Sequence, residues 1–126
     1  MNSLRRSRKR WIYAGLAAYF VVVGLITITP AADSQSFASP VCLICGSHGL
    51  ADAVLNVLLF APLGAGLVAS GTPLRYAVIT AFVTSLTIEL AQVAIPVRYA
   101  NLGDVLWNSV GALLGILIIQ ILLLLS

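Results

Sequence analysis

Four apolar runs alternate with short polar connections along the chain, over residues 11–29, 50–70, 74–95 and 104–125. At 1.5 Å of rise per residue the first run makes about 28 Å of helix, against a hydrocarbon core about 30 Å thick. The pattern predicts an all-α fold, a polytopic membrane helix bundle with four transmembrane helices in a single domain over residues 1–126. Residues 30–49, rich in Ala, Ser, Gly and Pro, form the only sizeable non-spanning segment and read as irregular coil. Inside the second run, Pro62 removes a backbone donor and crowds the carbonyl of Leu58, and Gly64 and Gly66 follow. A bend or partial unwinding is therefore expected there. Gly111 and Gly115 in the last run form a small-xxx-small pair, expected to pack helices within one chain rather than to dimerise it.

Composition supports the membrane setting. Of 126 residues, 60% are hydrophobic and 9% charged, and the mean hydropathy is +1.05, far too apolar for the surface of a soluble domain of this size. The net charge of +3 is not a nucleic-acid footprint, because five of the seven basic residues (Arg5, Arg6, Arg8, Lys9 and Arg10) directly precede the first run. Basic flanks stay in the cytoplasm. The amino terminus is then inside, Arg75 beside the turn at Gly71-Thr72-Pro73 is inside too, and the carboxyl terminus ends there. Only Arg98 falls outside. A cleaved signal peptide ending near Thr29-Pro30-Ala31 is the alternative for the first run. Its apolar core is longer than the 7–15 residues usual for a signal, which favours an uncleaved anchor.

The four acidic residues change the picture most. Three lie in or against apolar runs, each with a carboxamide three or four positions on: Asp52 with Asn56, Glu89 with Gln92, and Asp104 with Asn108. That spacing puts both members of a pair on one helix face. An ionisable side chain in a span costs roughly 2.5–3.5 kcal/mol on insertion scales, so such residues are rarely idle. Counting rise along each run places all three pairs in the outer half of the membrane, with Asp33, His48 and Arg98 in the adjoining outer loops. Convergence would give an outward-opening polar pocket. Three carboxylates against Arg98 leave two negative charges over, calling for a protonated acid, a cation or a basic ligand group. Arg98 suits either an internal clamp or paired donation to a ligand carboxylate or phosphate. Asp52 and Asp104 also read as helix N-caps. Glu89, the deepest acid, is the candidate acid/base if any reaction occurs; nothing compels one.

Glu89-Leu90-Ala91-Gln92, Pro96-Val97-Arg98, then Asp104, Asn108 and Gly111, preceded by Asp52, Asn56 and Phe60-Ala61-Pro62-Leu63-Gly64, resemble the signature of VanZ-like membrane proteins over residues 50–115. The family is named for a protein linked to teicoplanin resistance. The resemblance implies a multi-pass protein of the bacterial cytoplasmic membrane, acting at the cell surface on glycopeptide susceptibility. One departure stands out. Where many members carry Asp-Lys-x-x-His, this chain has Ala53 and Asn56 in place of Lys and His, so no base is available there.

Cys42-Leu43-Ile44-Cys45 lies in the outer segment. A local disulfide between Cys42 and Cys45, or free thiols, is expected ahead of metal. With His48 the motif supplies three ligands where zinc wants four, and haem attachment needs His where Gly46 stands. No metal or cofactor is expected. No Gly-rich phosphate loop or zincin pair occurs, and Ser85 and Thr84 lack a His at usable spacing. Trp11, Tyr13 and Tyr99 read as interfacial anchors.

The leading expectation is a surface factor whose polar pocket (Asp52, Asn56, Glu89, Gln92, Arg98, Asp104 and Asn108) meets the head of an amphiphile while apolar walls hold its acyl part. Membrane lipids are the standing partners, and a lipid-linked cell-wall precursor or a lipoglycopeptide antibiotic is the candidate ligand. A structural or assembly protein whose polar groups only lock helices is the alternative. An ion or proton pathway is disfavoured, because the inner halves of the runs are apolar apart from Thr80.

Overall fold

The computed structural model describes residues 2–28, 43–44, 49–95 and 101–125. They form four helices: α1 (Asn2–Ile28), α2 (Gly49–Ala69), α3 (Leu74–Val93) and α4 (Leu102–Leu124). Each is long and apolar enough to cross a membrane, with candidate spans Lys9–Ile26, Gly49–Ala69, Leu74–Val93 and Leu102–Leu124. Leucines and valines that a soluble protein would bury, such as Leu58, Leu90, Val93 and Leu117, face outward on these helices. That is the surface hydrocarbon chains cover. The helix of α1 starts upstream of the apolar run, because Arg and Lys are good helix formers and extend it into the basic segment.

Short connections dictate the directions. α2 ends in a Schellman turn, with Thr72 N–H donating to the Leu67 carbonyl at 3.1 Å and Gly71 N–H to that of Val68 at 2.9 Å. Gly71 takes φ +93°, open to a residue without Cβ. Pro73 then leads directly into α3. α3 therefore runs antiparallel to α2, and α4 antiparallel to α3. α1 lies antiparallel to α2, since Leu16 packs on Gly66 and Tyr19 on the cluster of Phe60 and Leu63. Lys9, Arg10, the 70–73 turn and Arg75 thus share one end of the bundle, the basic end. Glu89 and the start of α4 lie towards the other.

The tightest seam joins α2 to α4. A Cβ on Gly64 would overlap the carbonyl of Ala112, one on Gly111 the carbonyl of Val57, and one on Gly115 the carbonyl of Ala61. Backbone thus rests on backbone, the use that small residues serve between membrane helices. The Gly111–Gly115 pair is taken up inside the chain. The same seam explains why α2 does not unwind: it continues as α-helix through Pro62 to Ala69. Pro62 points to the lipid side, Gly64 is clamped by α4, and Gly66 is covered by Leu16. By contrast, among its described side chains α1 touches its neighbours along one stripe, Ile12, Leu16, Tyr19 and Val23, and of these Val23 is the one fully buried.

Candidate functional site

The buried face of α3 is Ala77, Ala81, Ser85, Glu89 and Gln92, one continuous stripe at helical spacing. It changes character midway. Towards the basic end it is alanine; towards the other end it is Ser, Glu and Gln. Phe60 and Leu63 of α2 and Ala112 of α4 join Ala81 of its apolar part and close the middle of the bundle with hydrocarbon.

Against the polar half stand Asn101 and Asn108 of α4. Glu89 is 4% exposed, and its Oε2 accepts the backbone N–H of Asn101 at 2.8 Å. Two turns along α4, Asn108, 3% exposed, donates from Nδ2 to Ser85 Oγ at 2.9 Å. Gln92 is buried one turn beyond Glu89. Among the described residues two bonds tie α3 to the α4 side, and Ser85, Glu89, Gln92 and Asn108 lie within the candidate spans, where each polar atom must find its partner inside the protein. One atom has none: the Asn108 Oδ1 is buried without a hydrogen bond. Other polar side chains of the same helices are spent locally. Ser109 Oγ donates to Val105 O at 2.7 Å and Thr87 Oγ1 to Val83 O at 2.8 Å, the usual refuge of a helical hydroxyl facing lipid.

Of the candidates named from the sequence, Glu89, Gln92 and Asn108 lie buried in this polar stripe. Asp104 is half-buried in the first turn of α4. It is not the N-cap. Asn101 fills that role, its side chain accepting from Gly103 N at 2.9 Å, while Asp104 N–H donates to the Asn101 carbonyl at 2.9 Å. Asp52 likewise falls inside the first turn of α2, after Gly49. Asp52 and Asn56 sit half-buried at the same end, and among the described residues no bond joins them to the α3–α4 group. Arg98, Cys42, Cys45, His48 and Asp33 lie outside the described residues.

Asn101 and Ser85 were missed as site residues. Asn101 followed three positions later by Asp104, ahead of an apolar run, is a capping signal that marks the helix start. Ser85 sits one turn before Glu89 on the same face, and that offset alone assigns it to the stripe. At the same end of the bundle, the Trp107 indole N–H donates to the Leu43 carbonyl at 2.8 Å. A Cβ on Gly49 would come within 2.8 Å of the Ile44 backbone. Leu43 and Ile44 thus cross over the starts of both α2 and α4.

Fold and site together define a multi-pass membrane bundle with a polar group buried towards one end of its α3–α4 interface. The profile of the VanZ/LLP1 family matches residues 9–123, nearly the whole chain. The protein belongs to this family. Searches among curated proteins and among solved structures returned no match.

Proposed function

We propose that this protein is an envelope factor of the bacterial cytoplasmic membrane that receives the polar head of an amphiphile at its Glu89 end. The ligand is a lipid-linked cell-wall precursor or a lipoglycopeptide antibiotic, and the consequence is altered glycopeptide susceptibility. The observation that carries the reading is Glu89 itself, an ionisable side chain buried within a candidate span among Ser85, Gln92, Asn101 and Asn108. Such a residue costs too much to keep for packing that Leu or Ala would do as well. The Glu89 end faces outward because Lys9, Arg10 and Arg75 gather at the opposite end, and basic residues are retained inside. Below the polar stripe, Val78, Phe82, Leu113 and Ile116 line an apolar groove between α3 and α4, suited to an acyl chain. A continuous ion path is not supported, since Phe60, Leu63, Ala81 and Ala112 fill the middle of the bundle.

One observation favours a second reading. Two bonds among the described residues, Glu89 to Asn101 and Asn108 to Ser85, cross-link α3 to the α4 side, as a purely structural lock would. Glu89→Gln and, separately, Arg98→Ala decide between them, with membrane abundance, thermal stability in detergent and lipoglycopeptide susceptibility measured on each. Normal abundance with changed susceptibility is the expected result. Lost stability with susceptibility following abundance alone would leave only the lock.

A further inference from the structure

The Glu89–Asn101 bond and the Ser85–Asn108 bond differ in completeness. Asn101 contributes a single N–H to the first, and that donor is matched. Asn108 brings a whole carboxamide, with two donors and an acceptor oxygen. Its Nδ2 is matched by Ser85, its Oδ1 has no partner within the protein, and at 3% exposure bulk solvent does not reach it. Rotating the amide by 180° only exchanges which atom is stranded, because Ser85 Oγ is one partner in either orientation. A leucine of nearly the same shape would fill the position without any stranded atom. Ser85 would then satisfy itself on its own helix, as Ser109 does on α4. A lock that costs more than the hydrocarbon it displaces is a poor lock.

We propose that Asn108 is the floor of the head-group site, its amide oxygen receiving an N–H or O–H from the bound amphiphile, with Ser85 holding the amide in position. This rests on the amphiphile reading above and sharpens it. The ligand must carry a neutral hydrogen-bond donor, a sugar hydroxyl or peptide amide, that reaches about two helical turns below the first residue of α4. Charged head chemistry falls to Glu89 nearer the rim; the donor of the head goes to Asn108. A head without N–H or O–H groups leaves the stranded oxygen as it is and gains nothing there.

The test uses the full chain in detergent and three probes: a lipoglycopeptide, a short-chain glycolipid with a disaccharide head, and phosphatidylcholine of the same chain length, whose head has no N–H or O–H. Asn108→Leu is expected to weaken binding of one or both donor-bearing probes about tenfold, the worth of one buried hydrogen bond. Phosphatidylcholine binding stays unchanged, and the unfolding midpoint stays equal to or above that of the parent. Which of the two donor-bearing probes responds identifies the source of the head group. Ser85→Ala, which spares the amide, is expected to weaken the same probe by a smaller factor. Parent-like binding by Asn108→Leu would overturn the assignment of Asn108 while leaving the amphiphile reading in place. So would a fall in its midpoint with all three probes weakened together, the mark of a lock. If the parent chain binds neither donor-bearing probe, the amphiphile reading fails and this inference with it.

Discussion

Helix α4 presents two faces to two neighbours, and they are built on opposite principles. Towards α2 it offers Gly111, Ala112 and Gly115, and the backbones meet with almost no side chain between them. Towards α3 it offers Asn101 and Asn108, whose polar groups reach across to Glu89 and Ser85. The first contact holds by dispersion and shape alone, and in lipid it gains no help from excluded water. The second keeps polar atoms in a setting where each unmet one is expensive. A bundle needing only cohesion could have repeated the glycine seam on both faces. That it did not is the reason to read the α3 face as more than packing.

The comparison can be broken most sharply at the seam. Gly115→Leu drives a side chain into the Ala61 carbonyl and should cost about 3 kcal/mol or more, at the upper end for overpacking, so little folded protein accumulates in the membrane. Quantitative immunoblotting of membranes, with the detergent unfolding midpoint of whatever remains, checks this. Near-parental abundance would mean α2 and α4 are free to move apart. Next in size, Glu89→Ala strands the Asn101 N–H and should lower stability by about 1–3 kcal/mol, while Glu89→Gln keeps an acceptor oxygen and recovers most of it. The gap between these two midpoints measures the tie separately from the charge.

Asn101→Ala removes the cap but not the backbone donor. It should cost about 1 kcal/mol and speed hydrogen exchange at Gly103 and the next turn, leaving the Glu89 contact intact. Equal loss in Asn101→Ala and Glu89→Ala would show that cap and tie are one unit. The smallest change is expected at Tyr19, whose hydroxyl is buried without a partner. Tyr19→Phe deletes only that atom, so the midpoint should stay level or rise slightly. A clear fall would reveal a bond at that hydroxyl.

The four helices were legible because run length against bilayer thickness leaves little choice. Glu89, Gln92 and Asn108 could also be read as buried polar positions, since ionisable and amide groups in apolar runs announce themselves. What could not be read was pairing. Gly111 and Gly115 say that some helix comes close, and nothing in their spacing says it is α2. Of the bend or partial unwinding expected at Pro62, the unwinding does not occur, because a proline's local cost shows in the sequence while the neighbour that holds the helix together does not. Asn101 escaped because it stands just before the apolar run rather than in it. Its main contribution to the site is a backbone N–H, which any residue but proline would supply in its place.

The glycine seam has a consequence for how the protein is made. It pairs the second helix with the last, so the best-fitting surface of α2 has no counterpart until α4 leaves the ribosome. At synthesis rates of about 5–20 residues per second, the 46 positions from Ala69 to Gly115 take about 2–10 s. Throughout that interval the nascent chain holds α2 beside only α1 and α3, while Val57, Ala61 and Gly64 wait for the α4 backbone they fit. Quality control that surveys unpaired membrane segments has its opening there, and a chain broken off before α4 should be cleared rather than retained.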